Sequence, residues 1–394
     1  MNAKQRYTPE MAVNLRIPSD PQLSPSGRQV AFVVAPIGHE ETIPTSAIWC
    51  AAVDGSEPPH RLTTGTAGDT MPRWSPDGQK LAFLSDRAER RSSQVQLLDF
   101  GTGGEARPLT TLKKGLDLLA WAPDGRSLSA TADRRALAGE EDRTDGIRVY
   151  SEIPRPRVIV QIPLPAEGSS EPSEPVVLGP AEGHVWLYSW SPDGQQIALL
   201  TTLGNGLDEA ARGVELVILN VSDRSERRLL KFPRMAGGLK WSPDGTRLAV
   251  VGQTGNLPDD VRVQIVSVAD GTIETVDPGE TTPAGADWLT DSELLIFSAE
   301  GLYGKVERYD LASQSSQVLH PAPDDGVLLE PFSLCANRTT LAAVRTCTTQ
   351  PPEVWAGPLT GELRCLTHLN PEIDNVDVTT MEPVEWQSSD GWTI

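Results

Sequence analysis

The chain has 394 residues, 54 acidic against 34 basic side chains, and a formal net charge of −20. That balance argues against nucleic-acid binding, which needs a basic face to neutralise phosphate. The opening ten residues lack the apolar stretch of an export signal, and no later run is long enough to cross a bilayer, so no membrane partner is expected.

In chain order, Thr8, Pro9 and Glu10 make a plausible helix start: a capping hydroxyl, a proline at the first helical position and an acid at the positive end. One short helix within residues 1–20 is expected. From residue 21 the chain becomes repetitive. Leu23-Ser-Pro-Ser-Gly-Arg-Gln-Val-Ala-Phe32 returns as Arg73-Trp-Ser-Pro-Asp-Gly-Gln-Lys-Leu-Ala-Phe83 and Trp121-Ala-Pro-Asp-Gly-Arg-Ser-Leu128. It returns again from Trp190 and Trp241, and in worn form from Trp288 and Leu334. The turn glycine, or its equivalent, falls at 27, 78, 125, 194, 245, 292 and 338, so the steps are 51, 47, 69, 51, 47 and 46 residues. A period near fifty marks a repeat architecture.

The motif has a mechanical meaning. An apolar run ending in Trp is a strand, and Ser-Pro-Asp-Gly is a tight turn. Proline presets φ there, and glycine takes the left-handed conformation. The following run, such as Lys80-Leu-Ala-Phe-Leu84, is nearly continuous in apolar character, as a strand buried on both faces requires. Two further strand candidates follow in each unit: Gln94–Leu98 and Arg107–Thr110 in the second, Val214–Leu219 and Glu226–Leu230 in the fourth. Seven units of four antiparallel strands describe an all-β fold, a seven-bladed β-propeller over residues 21–370.

The 69-residue step places an excess between Asp133 and Pro175, and a loop of that length in a compact repeat is functional or disordered. Its tail, Pro163–Pro175, is rich in proline and glutamate, which leans towards disorder. Beyond the seventh unit, residues 371–394 form a linker and a segment, Pro383–Ile394, that reads as two strands joined at Asp390-Gly391.

The repeated Trp-Ser-Pro-Asp-Gly-x-x-Leu-Ala-Phe, the Leu-Thr strand ends, and the entry Ser19-Asp-Pro-Gln-Leu-Ser-Pro25 resemble the propeller of the prolyl oligopeptidase family of serine peptidases. The acylaminoacyl-peptidase and dipeptidyl-aminopeptidase branch is the nearest in kind. Val384-Glu-Trp-Gln-Ser-Ser-Asp-Gly-Trp-Thr-Ile394 resembles the first strands of that family's α/β-hydrolase domain. The resemblance implies a non-catalytic, cytoplasmic propeller that admits short peptide substrates to a hydrolase domain, its partner in the same polypeptide or a separate one. Val384, Trp386, Trp392 and Ile394 would then be exposed without that partner and favour self-association. The alternative is a stand-alone propeller of the TolB type that binds a protein.

No serine has glycine at both −2 and +2, as a nucleophile elbow needs, so no catalytic residue is assigned. Ser-Pro-Asp-Gly lacks the spacer between Asp and Gly of a sialidase Asp box. Asp259-Asp260 and Asp324-Asp325 lack the spacing of a calcium loop, and no metal or cofactor is expected. The four cysteines, Cys50, Cys335, Cys347 and Cys365, show neither paired nor metal-ligand spacing and read as reduced thiols. In the long third-repeat loop, Glu140, Glu141 and Asp142 are candidates to face a substrate's amino terminus, as the resemblance suggests. Arg143, Arg155 and Arg157 are candidates for a carboxylate or the partner domain. A solvated charged loop is the alternative reading.

Overall fold

A computed structural model describes residues 5–38, 45–100, 105–140, 155–166, 171–255, 260–276, 279, 281–300, 303–320, 326–347, 349–378 and 384–392. Helix α1 (Pro9–Val13) precedes the ring, capped by the Thr8 hydroxyl, which accepts from the Met11 amide at 3.3 Å. The first strand then starts at Arg16, inside the stretch expected to precede the propeller. Seven four-stranded antiparallel sheets follow, over residues 16–61, 69–108, 116–179, 184–231, 236–276, 282–320 and 326–365. These are blades 1 to 7.

The first strands of neighbouring blades pack on one another; Arg16–Leu23 touches both Asp69–Trp74 and Gly326–Leu334. First strands therefore line the axis. Each carries a shift in pairing register, for example between Asp117 and Ala120. In the first three blades a non-glycine residue takes the left-handed conformation there: Asp20 (φ 48°), Met71 (φ 54°) and Leu118 (φ 50°). A bulge of this kind bends the strand and sharpens its twist where space is least.

The second strands explain the continuous apolar runs. Leu81, Ala82 and Phe83 are wholly buried, as are Ile197 to Leu200, because each of these strands has a neighbouring blade on either side. Apolar packing divides into seven clusters, one at each blade–blade interface. Ala31, Val33 and Ile48 of blade 1 meet Trp74, Leu81 and Phe83 of blade 2, and Val30 and Phe32 meet Ala342 and Val354 of blade 7. Each fully buried Leu, Ile or Phe contributes about 1.5–3 kcal/mol, and the sum is spread around the ring.

The repeated turns form a rosette on one face. In blade 2 the Lys80 amide donates to the Ser75 hydroxyl at 2.8 Å, and the Gln79 amide to the Asp77 carboxylate at 2.9 Å. Ser75's own bond to Asp77, then that of the Gln79 amide, holds the Asp77 carboxyl below its ordinary value. Gly78 (φ 72°) closes the turn; a Cβ there would stand 3.5 Å from Pro25 of blade 1. Gly125, Gly194 and Gly245 meet Pro76, Pro123 and Pro192 in the same way, so the turns of blades 2 to 5 lean on the proline of the blade before. Blade 7 keeps the design with other residues: Cys335 replaces serine and accepts from the Thr340 amide at 3.2 Å, while Arg338 (φ 58°) stands where the glycine would be.

Among the described residues no strand is shared between blades 1 and 7; the seam is closed by side chains and by the Ala336 amide on the Pro25 carbonyl at 3.2 Å. Asn370, 2% exposed, accepts the Arg16 amide at 2.8 Å and donates to the Arg16 carbonyl at 3.0 Å, and Arg16 also pairs with Glu372 at 3.1 Å. Gln5 and Arg6 pair in parallel with Val376 and Asp377 just outside the ring. Asn370→Ala removes both backbone contacts, so it is expected to cost about 1–3 kcal/mol. Amide exchange at Arg16 should rise first, ahead of exchange in blades 3 to 5.

Over 384–392 the expected turn is present, with the Ser388 amide on the Trp392 carbonyl at 2.8 Å and Gly391 at φ 87°. Gln387, before the turn, takes part in a β-bridge, and the second expected strand runs beyond the described residues, from 393 onward. Val384 (75%), Trp386 (57%) and Trp392 (73%) are exposed as expected; Ile394 lies outside the described residues.

Candidate functional site: the face bearing the chain ends

All first strands run the same way, so their starts share one face and the Ser-Pro-Asp-Gly turns share the other. The segments before Arg16 and after Asn370 meet at the first of these faces. The long connection of blade 3, between the strands Ser127–Asp133 and Arg157–Pro163, opens on the same side. Part of the 69-residue step is thus ordinary blade: Arg157–Pro163 and Val176–Gly179 are its third and fourth strands. Helix α2 (Arg134–Leu137) follows Asp133, whose carboxylate caps it by accepting from the Arg135 amide at 2.9 Å. Glu140 pairs with Arg135 at 2.7 Å on the surface; Glu141, Asp142 and Arg143 lie outside the described residues.

Between blades 2, 3 and 4 this face holds a cavity of about 670 Å³. Its wall comes from Glu89–Ser93 of blade 2, Lys113–Asp117 at the entry to blade 3, Asp133, Arg155 and Arg157, and from His184, Trp186 and Asn205 of blade 4. Six cations (Arg90, Arg91, Lys113, Lys114, Arg155, Arg157) stand against three carboxylates (Glu89, Asp117, Asp133). That excess reverses the sign of a chain whose formal charge is −20.

The floor is rigid. Arg157 pairs with Asp117 at 2.5 Å, and its backbone amide donates to His184 Nδ1 at 3.0 Å. Trp186 stands edge-on to His184, with ring centres 4.6 Å apart, and its indole donates to the Thr202 hydroxyl at 2.7 Å. Arg90 pairs with Asp86, which also accepts the Arg91 amide at 2.9 Å and fixes the left-handed turn at Arg91 (φ 69°). Among the described residues no ion pair or hydrogen bond engages the side chains of Arg91 or Lys113, and both are exposed. The sequence reading pointed to Arg155 and Arg157 and missed Arg91, Lys113 and His184. Those three belong to segments that only the ring brings together.

Burial, and then the Arg157 charge, push the His184 imidazole down to about 4 from an ordinary 6.5. The unfolded chain then binds a proton that the folded chain refuses, so His184's contribution is fully present above about pH 6.5 and drains away as pH falls towards 4. Imidazole resonances of His184 should titrate near 4. The fall in melting temperature over that interval should flatten in His184→Gln.

Among the described residues no serine hydroxyl bonds an imidazole. His368 meets only the Asp374 carboxylate, at 3.0 Å on the surface. All four cysteines are free thiols, and burial pushes Cys50 up to about 12. No described helix is long and apolar enough to cross a membrane.

The ring can be set beside known proteins. No family model matches the sequence. Residues of the chain align at 41% identity over 100 positions with the uncharacterized peptidase YuxL of Bacillus subtilis, covering 25% of this chain and 14% of that one. The acylaminoacyl peptidase of Pyrococcus horikoshii superposes on 97% of the chain with a TM-score of 0.71 at 19% identity. The ring shares the propeller fold of that peptidase. The superposition spans only 57% of the Pyrococcus horikoshii enzyme, so the chain matches little more than half the length of that peptidase. The propeller domain of the trilobed protease from Pyrococcus furiosus, described as having an open velcro topology, matches end to end: 91% of this chain and 97% of that one, at TM-score 0.63 and 16% identity. Blades 1 and 7 of this chain are each built from consecutive strands.

Proposed function

We propose that this chain is the non-catalytic, substrate-selecting propeller of a cytoplasmic serine peptidase of prolyl oligopeptidase type, working over an α/β-hydrolase domain. The observation that carries the reading is coverage: nearly the whole chain superposes on 57% of a peptidase that extends well beyond it. The partner domain would sit on the face where residues before Arg16 and after Asn370 meet, covering Val384, Trp386 and Trp392. A ring held by seven separate interfaces cannot open widely without breaking one, so it would admit short flexible peptides and refuse folded proteins. Free thiols suit a reducing compartment.

Two measurements test this. The coding sequence read past codon 394 should continue in frame to a Gly-x-Ser-x-Gly elbow, and an immediate stop would contradict a partner in the same polypeptide. The purified chain should take no fluorophosphonate label and cleave no peptide ester; a labelled serine would contradict the non-catalytic role. The seam that closes blade 1 on blade 7 without outside help favours the second reading, a stand-alone protein-binding propeller.

A further inference from the structure

We propose that the basic cavity between blades 2, 3 and 4 is a carboxylate subsite that holds the anionic end of a short peptide, with Arg91 and Lys113 as the recognising cations. The inference rests on the peptide-selecting role above and goes further by naming what part of the peptide is read. In most of this acidic surface a carboxylate would be repelled; here it meets a local excess of positive charge. Arg157 is already committed to Asp117, so it serves as scaffold. Arg91 and Lys113 carry charge that no described acid neutralises, and the Asp86 contact to the Arg91 amide fixes the backbone at that position. A planar guanidinium offers two parallel donors to a carboxylate. Trp186 and neutral His184 supply a flat, uncharged wall for the adjoining peptide. The cavity, at about 670 Å³, has room for a few residues, and it lies on the face that the hydrolase would cover.

Two sources offer the same chemistry, a C-terminal carboxylate and an acidic side chain, and calorimetric titration of the chain at low salt separates them. The probes are acetyl-Ala-Ala-Phe with a free C-terminus, its C-terminal amide, and acetyl-Ala-Glu-Ala amide. Binding of the free acid is expected to be about tenfold tighter than that of its amide, as one charge-assisted contact provides. The preference should vanish in Arg91→Gln/Lys113→Gln and persist in Arg364→Gln, which removes one positive charge on the opposite face. The thermal midpoint of the double variant should match the parent, since neither Arg91 nor Lys113 holds a described side-chain contact. Tight binding of the glutamyl amide alone would assign the subsite to an acidic side chain and uphold the carboxylate chemistry. Equal binding of all three probes, indifference to the double substitution, or inorganic phosphate competing as strongly as the peptide would each overturn it. A hydrolase elbow in the reading frame combined with no carboxylate preference would sink this inference and leave the peptidase reading standing. Preference without any hydrolase would do the reverse.

Discussion

Trp288→Ala is expected to lower stability by about 3–5 kcal/mol, among the largest losses available from one side chain in this chain. The indole is fully buried at the interface of blades 5 and 6, against Ala249, Val263 and Ile265. Its N–H donates to the Lys240 carbonyl of blade 5 at 3.1 Å, and the Arg247 guanidinium lies 5.1 Å over its ring. Truncation therefore opens a cavity, strands a backbone acceptor and removes a cation–π contact together. Trp288→Phe keeps most of the apolar fill and loses the donor, so about 1–2 kcal/mol is expected. Denaturant unfolding should be followed by both fluorescence and circular dichroism, because neighbouring repeats can melt separately. A loss under about 1 kcal/mol for the alanine variant would mean that the blade interface is not packed as described.

Lys305→Met is expected to cost about 3–5 kcal/mol through a different mechanism. Lys305 and Glu307 lie two apart on the third strand of blade 6, on one face, 3.3 Å from each other, with side chains 13% and 3% exposed. Ser298 and Ser316 hydroxyls also donate to Glu307, each at 3.2 Å. Removing the lysine charge leaves a buried carboxylate with two neutral donors. Replacing both members, Lys305→Met with Glu307→Leu, removes the uncompensated charge and should recover most of the loss. A single variant as stable as the parent would show that water reaches Glu307.

The repeat made the ring legible before any coordinates. Ser75, Pro76, Asp77 and Gly78 are adjacent in sequence, so the turn they form is written locally. The tryptophan that precedes each turn was legible only as core. Its second role, donating from Trp74 to the Gln22 carbonyl, from Trp121 to Arg73 and from Trp241 to Ser189, joins residues about fifty positions apart and needs the neighbouring blade in place. Left-handed Met71 and Leu118 carry no local signal, since neither residue type favours that conformation; strand pairing on either side imposes it. The same holds for the candidate site. Arg155 and Arg157 stood out as a charge cluster, whereas Arg91, Lys113 and His184 come from three other segments and share a wall only through ring closure. The turn at Asp390-Gly391 was written in sequence because its residues are adjacent, and Gln387 before it takes part in a β-bridge.

The claim that the chain-end face receives a hydrolase domain is tested most directly by amide exchange, comparing residues 1–394 alone with the same residues joined to the domain encoded by the continuing frame. Protection is expected at the Asp86–Ser93, Thr111–Leu116 and Gly179–His184 segments and over Val384–Trp392, with the Ser-Pro-Asp-Gly turns at 75–78 and 191–194 unchanged. Protection confined to those turns, or none on either face, would contradict it.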